Sequence, residues 1–226
     1  SQLNNTAVIL SDEKLLIPMI NSLPRNVKDV NVTMGFPYKY SSSSSLFSLL
    51  LQIHSKKQKT FYYKNVFSIL SHELIKPVMN KDIDICMLMK RENIVYISKD
   101  DLIGLDKKNS ELYNIIFSKW INAEHGILSC LNLIEILKNY YSKNQLSDDM
   151  NIELLHSSYK IFNQILLFKD QYKSIKSIKS LKAMYKEIVE MNTIPFNGKP
   201  IKGLQIMGVL ETRLLDLSLI HISEPT

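Results

Sequence analysis

Two short apolar segments on either side of a helical segment restrict the fold of this chain more than any other feature. Residues 6–10 form an apolar run and residues 30–34 alternate between apolar and polar, so both are predicted to be strands. Residues 13–23 between them have a helical pattern that Pro24 ends. Two strands joined by one helix form a β-α-β unit, in which the strands lie parallel in one sheet.

The chain then has a mostly helical pattern until about residue 196, and an apolar strand at residues 204–210 follows. A chain that leaves a sheet, builds a helical module and returns to a strand contains an insertion. We therefore predict an α/β fold with a large helical insertion. Residues 6–10, 30–34 and 204–210 are expected to be neighbours in one mainly parallel sheet.

Within the helical region, Ser41–Ser45 are expected to begin a helix rather than to form a linker, because serine is a favoured capping residue. Apolar stripes over residues 161–175 and 178–188 are rotated against each other, which predicts a kink or break near Ser177–Ser180. Residues 61–74 are expected to be helical. For residues 83–97, the sequence does not decide whether a β-hairpin that turns at 90–93 forms.

A short polar segment follows the returning strand and carries residues with a possible functional pattern. Its members are Gly208, Glu211, Thr212, Arg213 and Asp216. The segment resembles motif V of the UvrD-like superfamily I helicases. It is more similar to the degenerate version in AddB-type helicase-nuclease proteins of the PD-(D/E)XK family. In the helicases, a strand of the second RecA-like domain ends there in a loop that contacts DNA and nucleotide.

The match to the helicase motif is partial. Arg213 stands at the position of the motif's basic residue, and Asp216 stands at that of its acidic residue. Leu210 and Leu214 replace the motif's histidine and glycine. These replacements fit the AddB-type subunit, in which the helicase fold serves as a DNA-tracking scaffold. The resemblance therefore implies that this part of the chain does not couple ATP hydrolysis to movement.

Two earlier segments resemble the motif IV region of the same helicases. Residues 6–12 resemble the motif IV strand, and residues 31–37 resemble the strand and glycine turn that follow it. The residues that carry the resemblance are Ser11, Asp12, Thr33 and Gly35. Gly35 is expected in a turn with an unusual backbone angle. The helicase arginine that reaches the nucleotide phosphate is replaced here by acidic residues, which cannot stabilise a transferring phosphoryl group.

The resemblance implies a partial RecA-like parallel sheet, domain 2A, that is interrupted by a mostly helical, 2B-like domain. The implied domains are residues 1–50 for the first part of domain 2A, 51–198 for the 2B-like insertion, 199–216 for the return strand with the motif V-like loop, and 217–226 for a tail. The tail resembles the translation of a transposon-end sequencing adapter, so we expect it to be non-native. The alternative is a natural strand over residues 217–222.

The resemblance further implies an internal fragment of a protein that processes DNA ends in recombinational repair, with a partner helicase-nuclease subunit. The sequence contains no P-loop, and Asp12-Glu13-Lys14 is an Asp-x-Lys match without an upstream acid. We therefore expect no catalytic residue, metal site or cofactor in the fragment, whereas ATP and Mg are expected for the parent protein. The alternative class is a non-enzymatic helical protein-interaction module with no DNA role.

Charge is compatible with weak DNA binding. The formal net charge is +6, and the three arginines are Arg25, Arg91 and Arg213, so lysine supplies most of the positive charge. Contacts to phosphate without sequence preference are therefore expected. The predicted DNA-binding residues are Lys169, Lys173, Lys176, Lys179, Lys182, Lys186 and Arg213. A solvated helix face is the alternative for the lysines.

Composition resembles that of ordinary globular proteins, with 45% hydrophobic and 22% charged residues. The apolar runs are too short to span a membrane, so no membrane partner is expected. Cys86 and Cys130 stand alone, without the spacing of metal ligands, which is typical of reduced thiols. A cytoplasmic location is therefore expected.

Overall fold

The computed structural model describes residues 6–24, 27, 30–56, 59–79, 84–143, 149–171, 175–194, 203–209 and 219–223. The chain divides into two compact units. Ser1–Tyr40 with Met191–Thr226 form one, called the sheet unit here, and Ser41–Glu190 form the other, the helical unit. The sequence prediction placed these divisions at 50/51 and 198/199. The first of those positions lies inside a continuous helix, Ser42–His54.

The helices and strands alternate irregularly along the chain. Up to residue 91 they are β1 (Thr6–Leu10), a 3-10 helix (Glu13–Leu15), α1 (Leu16–Ser22), β2 (Val30–Val32), β3 (Phe36–Pro37), a 3-10 helix (Tyr38–Tyr40), α2 (Ser42–His54), β4 (Thr60–Tyr62), α3 (Tyr63–Leu70) and α4 (Ile85–Arg91). The remainder are β5 (Tyr96–Ser98), α5 (Lys99–Leu105), a 3-10 helix (Lys107–Asn109), α6 (Ser110–Phe117), α7 (Ala123–Lys143), α8 (Asp149–Gln171), α9 (Ile178–Met191), β6 (Thr193–Ile194), β7 (Leu204–Gly208) and β8 (Leu219–Ser223).

The main sheet of the sheet unit is parallel, with the strand order β2-β7-β1-β8. Ile206 of β7 lies opposite Val8 of β1 on one side and Val32 of β2 on the other. The prediction that the three segments are neighbouring parallel strands is confirmed for residues 6–10, 30–32 and 204–208, whereas Leu210 lies outside the described residues. The apolar strand β1 is buried along most of its length, and its Ala7 and Ile9 form a buried cluster with Met207 of β7.

Residues 219–223 form the edge strand β8, parallel to β1, with Thr6 opposite Leu219 and Leu10 opposite Ser223. This segment lies in the tail that the sequence predicts to be non-native. An open strand edge accepts any segment with an extended backbone, because it presents unpaired N–H and C=O groups. The pairing of β8 with β1 therefore does not test whether the tail is native, and its non-native origin stays a prediction.

Gly35 is needed for close packing and not for a turn angle. A Cβ atom at Gly35 would lie 3.2 Å from the Cβ of Thr193, which belongs to the antiparallel pair β3–β6. Its φ angle is not positive, so the predicted unusual backbone angle is wrong. Gly203, immediately before β7, has the left-handed conformation instead, with φ of 82°.

The helical unit begins as predicted at the serine-rich segment. Ser41 is the N-cap of α2, and its Oγ accepts a hydrogen bond from the amide of Ser44 at 3.1 Å. Inside the unit, the Oγ of Ser158 on α8 donates to the Oγ of Ser43 at 2.9 Å. The rings of Phe47 and Phe162 pack edge to face, with 5.0 Å between their centroids.

The predicted break in the long C-terminal helical segment is confirmed. Helix α8 ends at Gln171 and α9 begins at Ile178. The Oγ of Ser177 accepts from the amide of Ser180 at 3.1 Å, and the Oγ of Ser180 accepts from the amide of Ser177 at 3.0 Å. Because the break lets both apolar stripes pack together, Phe162 of α8 stacks on Tyr185 of α9, with centroids 5.3 Å apart.

The hairpin considered for residues 83–97 is not formed. The segment instead contains α4, where the Oδ1 of Asp84 accepts from the amide of Met87 at 2.9 Å, and then β5. Asn93, with φ of 53°, lies between them. The partner of β5 is β4, which occupies residues 60–62, so the predicted helix over 61–74 begins later, at Tyr63.

None of the helices in the described ranges is both long and apolar enough to cross a bilayer.

Cys86 is half-buried and Cys130 is buried, and both are free thiols. Burial raises the pKa of each thiol. A raised pKa keeps a thiol protonated at neutral pH, which makes both cysteines poor nucleophiles.

Candidate nucleic-acid interface

The carboxyl ends of β1, β2 and β7 lie at one edge of the parallel sheet. Gly208 ends β7 directly opposite Leu10, and Ser11 and Asp12 follow β1. Thr33 follows β2, and its amide donates to the carbonyl of Ile206 at 3.0 Å. The motif IV-like residues and Gly208 therefore share the edge at which open α/β sheets bind ligands.

The remaining motif V-like residues, Glu211, Thr212, Arg213 and Asp216, lie outside the described residues. The motif V-like segment begins in the sequence at Gly208, the last residue of β7. Its first residue, Gly208, has β1 on one side and the end of β2 on the other, where a Cβ atom would lie 4.0 Å from the Cβ of Met34.

Asp12 has a structural function at this edge. Its Oδ1 accepts a hydrogen bond from the amide of Lys14 at 2.9 Å and so caps the 3-10 helix Glu13–Leu15. The Nζ atoms of Lys14 and Lys39 lie 5.3 and 5.1 Å from the centroid of the exposed Tyr40 ring. Lys14 is thus directed to an aromatic ring. Within the described ranges, no three His, Cys, Asp or Glu side chains are grouped for a metal ion.

The helical unit contains a cleft of about 820 Å³ that is lined by four lysines, and we call it the lysine cleft. The lysines are Lys56, Lys119, Lys176 and Lys179. All four side chains are exposed, and none has an ion-pair partner among the residues that the structure describes. Four like charges around one concavity create a positive potential that attracts anions.

The four lysines come together because each lies at or near the end of a helix, and Lys179 lies in the first turn of α9. Lys56 follows α2, Lys119 follows α6, and Lys176 precedes α9. The carbonyl of Lys176 accepts from the amide of Ala123, the first residue of α7, at 3.2 Å, which fixes this segment against a neighbouring helix. The N-terminus of α9 also lies at the cleft, and its partial positive charge adds to that of the lysines.

The apolar part of the cleft wall is aromatic and uncharged. His54 stacks on Trp120, with ring centroids 3.9 Å apart and an interplanar angle of 12°, and Phe61 packs against His54 edge to face. The imidazole Nε2 donates to the carbonyl of Ile116 at 2.8 Å. Burial, partly opposed by this hydrogen bond, lowers the pKa of His54 to about 4. His54 is therefore neutral at physiological pH and adds no charge to that of the lysines.

The structure places the six lysines that the sequence predicts to bind DNA in different surroundings. Lys176 and Lys179 line the cleft, whereas Lys182 and Lys186 are exposed on α9. Lys169 lies 2.9 Å from Glu124 and 3.3 Å from Asp170, so carboxylates already neutralise it. The hydrogen bond to Glu124 raises its pKa.

Lys173 lies outside the described residues. Sequence reasoning missed Lys56 and Lys119, because they are distant in sequence from α9. The available signal for Lys56 was its position after the helix that the serine-rich segment is predicted to begin.

A smaller cleft of about 220 Å³ adjoins the first in the helical unit, and we call it the tyrosine cleft. Ile53, Lys56 and Phe61 line both clefts. The residues that line only the smaller one are Gln52, Tyr62, Asn65 and Tyr96. Tyr62 and Tyr96 were not predicted as site residues, because the strands that carry them, β4 and β5, were missed.

Comparison with the models of known protein families finds none that matches this sequence, and no curated protein matches it either. The helicase resemblance therefore depends on the quoted motifs and on the order of the elements. The charge and shape of the two clefts provide separate information on what the chain binds.

Proposed function

We propose that this chain is a DNA-binding scaffold that belongs to a UvrD-like, AddB-type helicase-nuclease protein. The parent protein would process DNA ends in recombinational repair, together with a partner helicase-nuclease subunit. The observation that carries the proposal is the lysine cleft, in which four exposed lysines without carboxylate partners in the described ranges surround one concavity. Such a surface favours a polyanion over a neutral or acidic partner.

The sheet unit supports the helicase part of the proposal. In a domain of type 2A, a strand that returns after the 2B insertion lies beside the strands that precede the insertion. Here β7 lies between β1 and β2, although the helical unit separates them in the sequence. We propose that this sheet is a partial RecA-like domain. The nucleotide and Mg would bind elsewhere in the parent protein, since these 226 residues contain no P-loop.

The proposed binding mode is contact with phosphates and not with base edges. Lysine ammonium groups act as point charges without the planar geometry that arginine uses for bidentate recognition. Binding would release counterions from the DNA, so the affinity would fall steeply with salt and would not depend on sequence. These properties suit a protein that tracks along DNA and does not stop at a site.

Charge substitution in the cleft tests the proposal. Lys56, Lys119, Lys176 and Lys179 are all changed to glutamine, and affinity for a labelled duplex is measured between about 50 and 200 mM salt. Each lost phosphate contact should reduce the slope of log affinity against log salt by about 0.9, so four lost contacts should reduce it by about 3 to 4. Affinity at low salt should fall by at least tenfold.

A matched control separates the cleft from overall charge. Exposed lysines outside the cleft, Lys76, Lys107, Lys143 and Lys160, are changed to glutamine in the same way. Both variants change the formal net charge from +6 to +2, because each loses four positive charges. The control should keep most of the affinity and the slope.

Equal loss in both variants would mean that binding is diffuse and that the cleft has no special function. If the unsubstituted chain binds no DNA, the proposal is wrong, and the alternative of a helical protein-interaction module gains support.

A further inference from the structure

The tyrosine cleft has an aromatic pair on an open strand surface. Tyr62 and Tyr96 lie opposite each other on the antiparallel strands β4 and β5, so their side chains share one face of this two-stranded ribbon. The next pair, Phe61 and Ile97, is buried on the other face. The Tyr96 side chain is 57% exposed, whereas an aromatic ring that served only the core would be covered.

The geometry of the two rings suits contact with a third aromatic group. Their centroids are 5.6 Å apart and their planes are inclined at 49°, so the rings do not stack on each other. Tyr63 packs edge to face against Tyr62, with centroids 4.9 Å apart, and this holds the Tyr62 ring in place. A fixed ring beside an exposed ring loses little conformational freedom when a planar ligand binds.

The other residues of the tyrosine cleft can recognise the polar parts of a nucleotide. Gln52 and Asn65 carry amide groups that can donate hydrogen bonds to sugar and phosphate oxygens, which adds no preference for sequence. Lys56 lines the tyrosine cleft and the lysine cleft, so a phosphate near its ammonium group would be continuous with the four-lysine surface. Aromatic groups beside a positive groove are the arrangement that binds single strands.

We propose that the tyrosine cleft takes unpaired nucleobases, so that this chain binds single-stranded DNA in preference to duplex DNA. The proposal depends on the DNA-binding function proposed above and adds the substrate class. In a duplex, the bases are stacked inside the helix, so only phosphates can reach the lysine cleft. In a single strand, the phosphates can contact the lysines while a base stacks on Tyr96 or Tyr62.

Fluorescence anisotropy with the full chain tests this proposal with three probes of equal length. They are a labelled oligothymidylate of about 20 nucleotides, a duplex, and an abasic strand that has the phosphates but lacks the bases. The chain should bind oligothymidylate more tightly than either of the other two. The Tyr96→Ala variant should bind oligothymidylate about fivefold to a hundredfold more weakly, which is the usual effect of losing one stacked base.

The variant series separates stacking from general damage. Tyr96→Ala should leave affinity for the abasic strand and the duplex unchanged, and Tyr96→Phe should keep the affinity for oligothymidylate because it keeps the ring. Tyr159→Ala is the matched control, since Tyr159 is 45% exposed and lines neither cleft. Tyr62→Ala is a second test of the same cleft, and circular dichroism confirms that each variant is folded.

Three results would overturn the proposal. The first is equal loss of affinity for oligothymidylate and the abasic strand in Tyr96→Ala. The second is an unchanged affinity for oligothymidylate in both tyrosine-to-alanine variants, while the four-lysine variant still loses binding. That result would leave the DNA-binding function intact. The third is binding of the duplex at least as tight as that of the oligothymidylate, or tighter binding of an oligouridylate added as a fourth probe, which would assign the cleft to RNA. A chain that binds none of the probes would refute the DNA-binding function itself.

Discussion

Acidification should destabilise the helical unit through one buried histidine, His54. Its side chain is buried between the rings of Trp120 and Phe61, and its Nε2 donates to the carbonyl of Ile116. Burial disfavours the charged imidazolium and lowers the pKa of His54 from its ordinary value of 6.5 to about 4, and the charge of His125 adds to this effect. In the unfolded chain, the imidazole regains its ordinary pKa.

The sign and size of the effect follow from linkage. Above about pH 6.5 the imidazole is neutral in both states, so the full stability is present. Between the two pKa values, 6.5 and about 4, the unfolded state binds a proton that the folded state does not, so stability falls as pH falls. At about 1.4 kcal/mol per pH unit, the total loss is about 3 kcal/mol. Below pH values of about 4 the contribution of His54 should level off.

Trp120 provides the assay, because it is the only tryptophan in the chain and stacks on His54. Urea unfolding followed by its fluorescence reports on the helical unit, and the transition is measured from about pH 7.5 to about pH 3.5. His54→Phe keeps an aromatic ring but cannot titrate. It should be less stable at neutral pH by about 1 to 3 kcal/mol, because the Ile116 carbonyl loses its donor.

The diagnostic quantity is the difference in unfolding free energy between the unsubstituted chain and the variant. This difference should shrink by about 3 kcal/mol as the pH falls from neutral to about 4. His54→Gln, which keeps a side-chain donor, should show the same change with a smaller loss at neutral pH. Groups that titrate in all three proteins cancel in the comparison. A difference that stays constant with pH would refute the inference that His54 is buried in its neutral form.

Two further predictions concern packing and the tail. Gly126→Ala should destabilise by about 1 to 2 kcal/mol, because overpacking exceeds the gain in helix propensity. Its Cβ would lie 3.0 Å from both Leu181 Cδ2 and Trp120 Cε3. Gly104→Ala, with no atom within 4 Å of the new Cβ, should stabilise by up to about 1 kcal/mol, and urea unfolding measures both. Removal of residues 217–226 should leave the cooperative unfolding of the helical unit unchanged, and loss of cooperativity would identify the tail as native structure.

The elements that the sequence predicts well are those with a strong local pattern. The strand β1 is an apolar run and β2 alternates between apolar and polar residues, and the β-α-β spacing makes their parallel arrangement in one sheet predictable. The serine-rich start of α2 and the break before α9 were predictable for a similar reason. Capping residues and the rotation of an apolar stripe are visible in a single sequence.

The two-stranded ribbon β4–β5 could not be predicted in this way. Each strand has three residues, which is too short for an alternating pattern to differ from a helical one. Their pairing joins residues 60–62 to residues 96–98, with α3 and α4 between them. The ribbon is stable because Phe61 and Ile97 are buried on one face, and that burial depends on tertiary packing.

The lysine cleft shows why a charge pattern along one helix is an incomplete guide to a binding surface. The predicted set followed the sequence from Lys169 to Lys186, but Lys169 is neutralised by Glu124 of α7, which no pattern within α8 reveals. Lys56 and Lys119 join the cleft because the ends of α2 and α6 meet there. All four cleft lysines lie outside the apolar core. Their charge can therefore change without loss of packing, whereas a change at His54 or Trp120 would alter the wall of the cleft and the stability of the unit together.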